Sequence, residues 1–200
     1  MRDAFAAARG ILCGAAGALG YGAGDIPLRL DAPAGALISA LARKLAGGGD
    51  AASLALALAG ASEVRQPFSC VRSAGSMLVL ELSGDWMRSV LRRSGEIPWP
   101  ALPVPGGVRA CDREDRAFLL DYTARRCFVL SRRGETCPDL PRGLVCLLAR
   151  EGADPVAAAR LFWALSPQQR RDRDMARAVG LLAAGAVFTK NSPQGPKEAL

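Results

Sequence analysis

The sequence predicts an α+β fold: an N-terminal α+β domain with a small antiparallel sheet, then an all-α helical bundle. Three observations carry this. Ala- and Leu-rich segments with helical spacing lie in both halves of the chain. Two short apolar stretches, 68–72 and 77–82, flank a small-residue turn and alternate with period two. The stretch 94–112 holds four prolines, so no regular element crosses it, and only the part before it carries strand patterns.

The elements follow in order. Residues 3–19 form an Ala-rich helix that Gly20–Asp25 stops, and Ile26–Pro33 is a short extended piece. From Gly35, the spacing of Leu37, Ile38, Leu41 and Leu45 predicts a second helix, with Arg43 and Lys44 near its last turn, where cations suit the helix dipole. Gly47–Gly49 close it, and Asp50 caps a third helix over 51–61. Strands are expected at Phe68–Arg72 and Met77–Leu82, with Leu78, Leu80 and Leu82 on one face and Met77, Val79 and Glu81 on the other. Ser83 or Asp85 then starts a helix that turns Trp86, Met87, Val90 and Leu91 inward and ends in Arg92 and Arg93. Residues 1–93 thus make the first domain, and 94–112 a Pro/Gly-rich linker in which Trp99 is placed to dock on a surface.

The second domain, 113–190, is helical throughout. Its first helix spans about 113–133 and its second about 140–150; a third starts at Asp154 with Pro155 in the first turn. Ser166, Pro167 and Gln169 have the form of a capping box that opens one long last helix to about Phe188. Residues 191–200 are a flexible tail.

Lys and Arg number 26 against 19 Asp and Glu, a formal charge of +7, and all but three of the cations are Arg. The sign fits a polyanionic partner such as nucleic acid. The six cysteines show no C-x-x-C pair and the chain has no His, so the usual zinc spacings are absent and the thiols read as reduced, in a cytoplasmic protein. Asp3 and Arg9 break the charge order of a signal peptide, and no apolar run approaches the ~20 residues of a membrane span. Without His the commonest general base is missing, and no pair of carboxylates sits in a shared context. Gly47–Gly49 run into Asp50 and lack the Lys-Ser/Thr ending of a phosphate-binding loop. No enzyme activity and no cofactor are expected.

Two blocks, "ALISALARKLAGGGDAASLALAL" and "VRSAGSMLVLELSGDWMRSVL", resemble the additional N-terminal domain of arginyl-tRNA synthetases. Gly24 and Asp25 match that family's Gly-Asp segment. Leu41, Ala42, Lys44 and Leu45 match its following helix, and Ala74, Gly75, Leu82, Ser83 and Trp86 its strand pair and next helix. Independently, "FLLDYTARRCFVLSRRGE" is similar to the opening helix of the DALR anticodon-binding domain: Tyr122 and Arg126 fall on the paired Tyr and Arg, Leu130 and Arg132 near the trailing positions, and Ala124 replaces the family's His. The catalytic domain that stands between these parts in a synthetase is missing. The resemblance therefore implies a protein that binds tRNA, arginine tRNA being one candidate, without aminoacylating it. It also implies a helper that presents tRNA to a modifying enzyme.

Arg125 and Arg132 return to one face of the Tyr122 helix beside Asp121, and Arg126 and Arg133 to another beside Tyr122. Arg forks pair phosphate oxygens and a tyrosine ring stacks on an unpaired base. Arg88, Arg92 and Arg93 form an outward basic stripe on the Trp86 helix, and Arg72 lies on the preceding strand; the resemblance assigns these to the tRNA elbow. The bland alternative makes Asp121–Arg125 a helix ion pair and Tyr122 core. Arg170, Arg173 and Arg177 share a face of the last helix, diluted by Asp172 and Asp174, with Arg170 placed to pair with Asp174. The competing function is a protein-interaction or self-associating module that has lost RNA binding, with Met87, Trp99 and Trp163 as exposed apolar contacts.

Overall fold

The computed structural model describes residues 1–100 and 116–191. It shows an α+β chain with a four-stranded antiparallel sheet followed by a helical C-terminal region. The chain divides into two units, Met1–Val90 with Val145–Glu151, and Leu91–Leu144 with Gly152–Leu200. Residues 101–112 of the expected linker, 113–115 of the expected helix and 192–200 of the tail lie outside the described residues.

The first unit opens with α1 (Arg2–Ala18), which buries Ala4, Ala8, Ile11, Leu12, Ala15 and Ala16. Strand β1 (Leu28–Asp31) follows. The next segment departs from expectation: Ala36–Ser39 is not the start of a helix but strand β2, and α2 covers only Leu41–Ala46. The reason is tertiary. Asp31 and Gly35 close a turn, with the Asp31 carboxylate accepting from the Ala34 amide and the Gly35 amide donating to the Ala32 carbonyl. That turn lays β2 between two partners, and pairing on both edges outweighs the weak helical preference of four residues. The Ser39 hydroxyl then accepts the Leu41 amide at 3.2 Å, marking the corner where strand gives way to helix.

Helix α3 (Ala51–Ala61) is capped as its sequence predicts, with Asp50 accepting from the amides of Ala52 and Ser53. These bonds, that of the Ser53 hydroxyl foremost, hold the Asp50 carboxyl below its ordinary pKa. The cap is therefore complete above the usual carboxylate range and weakens as acid protonates it. Strands β3 (Phe68–Ala74) and β4 (Met77–Leu82) form the expected hairpin. The sheet order is β1-β2-β4-β3. Its inner face carries Leu37, Leu78, Leu80 and Leu82, none of them accessible to solvent; α3 packs on the sheet and α1 on α3, with Leu58 and Leu12 equally inaccessible. On the other face the register aligns Arg29, Ile38, Val79 and Arg72 in one row across all four strands.

The Ser83 hydroxyl accepts the Trp86 amide at 3.1 Å and starts α4 (Gly84–Arg93). Met87 and Leu91 are buried there, while Trp86 and Val90 are half-buried. Met87 is 2% exposed, so it is core and not the surface contact considered above. In the first unit, the Met1 nitrogen donates to the Ala149 carbonyl and Arg2 pairs with Glu151 at 2.7 Å.

In the second unit, residues 94–99 of the expected linker are packed rather than free. The Trp99 ring meets Phe128 edge-on at 5.2 Å, and Arg177 donates to the carbonyls of Ser94 and Ile97. Helix α5 spans Arg116–Arg133 and α7 Pro155–Ala164, the latter capped by Asp154; α6, Arg142–Leu148, starts in this unit and ends in the first. The capping box at Ser166 and Gln169 is present, but the helix it opens, α8 (Pro167–Arg170), stops after one turn. The expected single long helix is broken at Arg171–Asp172, and α9 (Arg173–Asn191) starts anew. Asp172 explains the break. Its carboxylate, inaccessible to solvent, accepts the Met175 amide as the N-cap of α9 and the Cys137 amide from the loop after α5. A continuous helix would forfeit both bonds and the bridge in which the Glu135 amide donates to Arg171 and the Arg173 amide donates to Glu135. Leu120, Ala124, Val156, Ala159, Ala183 and Ala184 form the core between α5, α7 and α9.

Cys127, Cys137 and Cys146 are buried, and burial raises the Cys127 thiol far above its ordinary pKa. Burial and the adjacent Glu81 carboxylate also push the Cys70 thiol up. Cys13 is exposed on α1. Among the described thiols a thiol-reactive dye should therefore modify Cys13 first, and Cys127 only when the protein unfolds. Rapid labelling of Cys127 in the native protein, located by mass spectrometry, would contradict this packing.

Candidate nucleic-acid interface

The site begins with the periodicity of α5. Residues four, seven and eleven positions on from Tyr122 return to its face, so Tyr122, Arg126, Val129 and Arg133 form the solvent-facing stripe, and all four are exposed. Tyr122 is 47% exposed, so it is a surface ring and not core. Arg126 and Arg133 stand in this stripe without an ion-pair partner among the described residues.

Their neighbours differ. Arg125 is held by Asp121 in an i,i+4 ion pair at 2.8 Å, the bland reading of that pair. Arg132 lies 4.4 Å over the Phe128 ring. Phe128 in turn meets Trp99, and Arg177 lies 5.9 Å over Trp99. This second stack fastens residues 94–99 and occupies both arginines structurally. Trp99 is thus an internal contact of the second unit.

What the sequence did not reveal is the aromatic row around Tyr122. Phe118 lies one turn before it, with rings 6.1 Å apart and 12° from parallel. On its other side Trp163 of α7 approaches to 5.3 Å. The Trp163 indole donates to the Thr123 hydroxyl at 2.9 Å, which itself donates to the Leu119 carbonyl, so the ring is fixed in orientation. The Arg170 guanidinium lies 5.4 Å over Trp163 and completes the ladder, in place of the expected pair with Asp174, which lies 3.6 Å from Arg173. Phe118 and Trp163 are only half-buried, so the ladder Phe118–Tyr122–Trp163–Arg170 reaches solvent beside Arg126. The i,i+4 spacing of Phe118 and Tyr122 was the available signal for half of this row. Trp163 is 41 positions from Tyr122 in sequence, and no local pattern could join them.

Of the remaining candidates, Arg72 and Arg88 of the first unit are less available than Arg92 and Arg93. Arg72 is exposed but tied to Glu81 across the hairpin at 2.8 Å. Arg88 is half-buried and already engaged. Arg92 and Arg93 are exposed in the last turn of α4, as expected of cations there. Arg29, absent from the sequence-based candidates, is exposed on the same sheet face as Arg72.

Chemically, a row of fixed rings flanked by unpaired guanidinium groups can stack unpaired bases and hold the phosphates between them. Among the described residues no group of His, Cys, Asp or Glu is suited to a metal ion, and no helix is long and apolar enough to cross a membrane. No family model, curated protein or solved structure matches the chain.

Proposed function

We propose that this protein is a noncatalytic, tRNA-binding accessory protein whose second unit grips unpaired nucleotides. The observation that carries the reading is the solvent-reaching ladder of Phe118, Tyr122, Trp163 and Arg170 beside the free Arg126 and Arg133. The net charge of +7 supports a polyanion. The resemblance of the chain to the tRNA-contacting ends of arginyl-tRNA synthetases supports tRNA, arginine tRNA among them, as the RNA class. A cytoplasmic helper that presents its tRNA to a modifying enzyme is the role such a protein would play.

Filter binding to an arginine tRNA transcript, a second tRNA and an unstructured RNA of equal length, across a salt series, tests this. Selective, salt-sensitive retention of tRNA is expected. Replacing Tyr122 or Trp163 by Ala removes one stacking partner and should weaken binding by about tenfold each. The double reversal Arg126→Glu and Arg133→Glu should flatten the dependence of log K on log salt by about 1.4, from two lost phosphate contacts on a single strand. Equal or absent retention of all three RNAs would overturn the proposal.

A second reading, an interaction or self-associating module, has one observation in its favour. Helix α3 carries no charged residue, and Leu56 on its outer face is 66% exposed. Sedimentation velocity on the parent and on Leu56→Glu distinguishes it: an oligomer dispersed by that substitution would favour self-association.

A further inference from the structure

A groove of about 490 Å³ in the second unit lies apart from the aromatic ladder and shares no residue with it. It is lined by Glu135, Thr136, Cys137 and Pro138 of the loop after α5 and by Pro167, Gln168 and Arg171 of the chain around α8. Both segments are pinned. The Glu135 amide donates to the Arg171 carbonyl at 3.1 Å, the Arg173 amide to the Glu135 carbonyl at 3.0 Å, and the Cys137 amide to the buried Asp172. Gln169 adds a bond to Asp139 from the end of α8. The backbone therefore uses these residues for support and leaves the Glu135 and Arg171 side chains to the groove. Neither forms an ion pair among the described residues, although both line the same space.

We propose that this groove binds a small zwitterion, a free α-amino acid with an apolar side chain. Opposite charges lining one groove match an ammonium at Glu135 and a carboxylate at Arg171, whose planar fork can take both carboxylate oxygens. The two prolines give the ligand's side chain apolar walls, and Thr136 and Gln168 supply neutral hydrogen-bonding groups. A volume of this size falls within the range of small-molecule sites. A phosphate or nucleic acid would meet the Glu135 carboxylate, and a divalent cation would meet Arg171, so neither simple ion suits the pair.

The test is a nuclear magnetic resonance titration of the full-length ¹⁵N-labelled protein with L-leucine, N-acetyl-L-leucine and L-leucine methyl ester. Free leucine should shift the amides of Thr136, Cys137 and Gln168 saturably, at about 1–10 mM. Each blocked derivative keeps one charge and should bind at least about tenfold more weakly. Glu135→Gln and Arg171→Gln should each lower leucine affinity about tenfold without changing the melting temperature, because only the backbones of these residues hold the loop. The absence of saturable shifts up to about 50 mM would overturn the assignment, as would equal binding of all three compounds. Unchanged affinity in either variant would overturn it too. None of these outcomes bears on RNA binding, which rests on other residues.

Discussion

Asp172→Ala is expected to destabilise the protein by about 3–5 kcal/mol, the largest effect of any substitution considered, although the sequence presents Asp172 as one surface charge among several. The carboxylate is inaccessible to solvent and serves two segments at once: one oxygen caps α9 through the Met175 amide at 2.9 Å, and the other holds the Cys137 amide at 2.8 Å. Ala leaves the Cys137 amide without its acceptor in a buried position, worth about 1–3 kcal/mol, and removes a helix cap worth about 1 kcal/mol more. The bridge between Glu135 and Asp172 loses its anchor with them. Asp172→Asn is the informative companion. Its amide keeps one acceptor oxygen but turns a donor toward the second amide, so about half the loss is expected. Thermal unfolding would read these as falls of about 6–20 °C for Ala and roughly half that for Asn. An Ala variant within about 1 kcal/mol of the parent would show that the α8–α9 break is held by something else.

Gly180→Ala is the second expected loss, about 1–2 kcal/mol net, and it runs against helix propensity. Within a helix, Ala ordinarily gains about 1 kcal/mol over Gly. At Gly180, however, an added Cβ would stand 2.4 Å from the Trp99 ring and 2.6 Å from the Cys127 Cβ. The Trp99 ring is confined by Phe128 and Arg177, and the Cys127 Cβ is fixed to the backbone of α5, so relief requires α5 and α9 to move apart. Overpacking of that kind costs about 1–3 kcal/mol or more. Gly185→Ala, five residues on in the same helix, is the control: nothing lies within 4 Å of its added Cβ, and it should stabilise by about 0.5–1 kcal/mol. Denaturant unfolding of the two variants should therefore give opposite signs. Equal stabilisation by both would refute the close approach of α5 and α9 at Gly180.

Both residues show where local reading succeeded and where it stopped. The caps at Asp50, Ser83, Asp154 and Ser166 were legible because a cap is a bond between residues two or three apart, and each is present. The hairpin of β3 and β4 was legible for the same reason: its turn and its alternation are local. Ala36–Ser39 was misread because Leu37, Ile38, Leu41 and Leu45 satisfy a helical period, while the two strands that claim the segment come from elsewhere in the chain. The break at Asp172 did have a local signal, an Asp followed by Asp174 in the first turn of α9, which the apparent continuity of the charged run obscured.

For the candidate interface the division is similar. Helical spacing placed Tyr122, Arg126 and Arg133 on one side of α5, and the structure leaves that stripe open. The same spacing listed Arg125 and Arg132 as equals of these two, but Asp121 and Phe128 engage them. Phe118 could have been found from its i,i+4 spacing to Tyr122 on α5, whereas Trp163 and Arg170 joined the site only through the packing of α7 and the chain around α8 near α5.

By itself the sequence determined the α+β class, the order of most elements, the caps that start the helices and the basic charge of the chain, since each depends on composition or on neighbours a few positions apart. The tertiary structure alone decided that Ala36–Ser39 is a strand, that Asp172 is a buried support and that a row of rings forms beside Arg126. Those outcomes depend on groups tens of residues apart, whose contacts are set by which surfaces can be buried together.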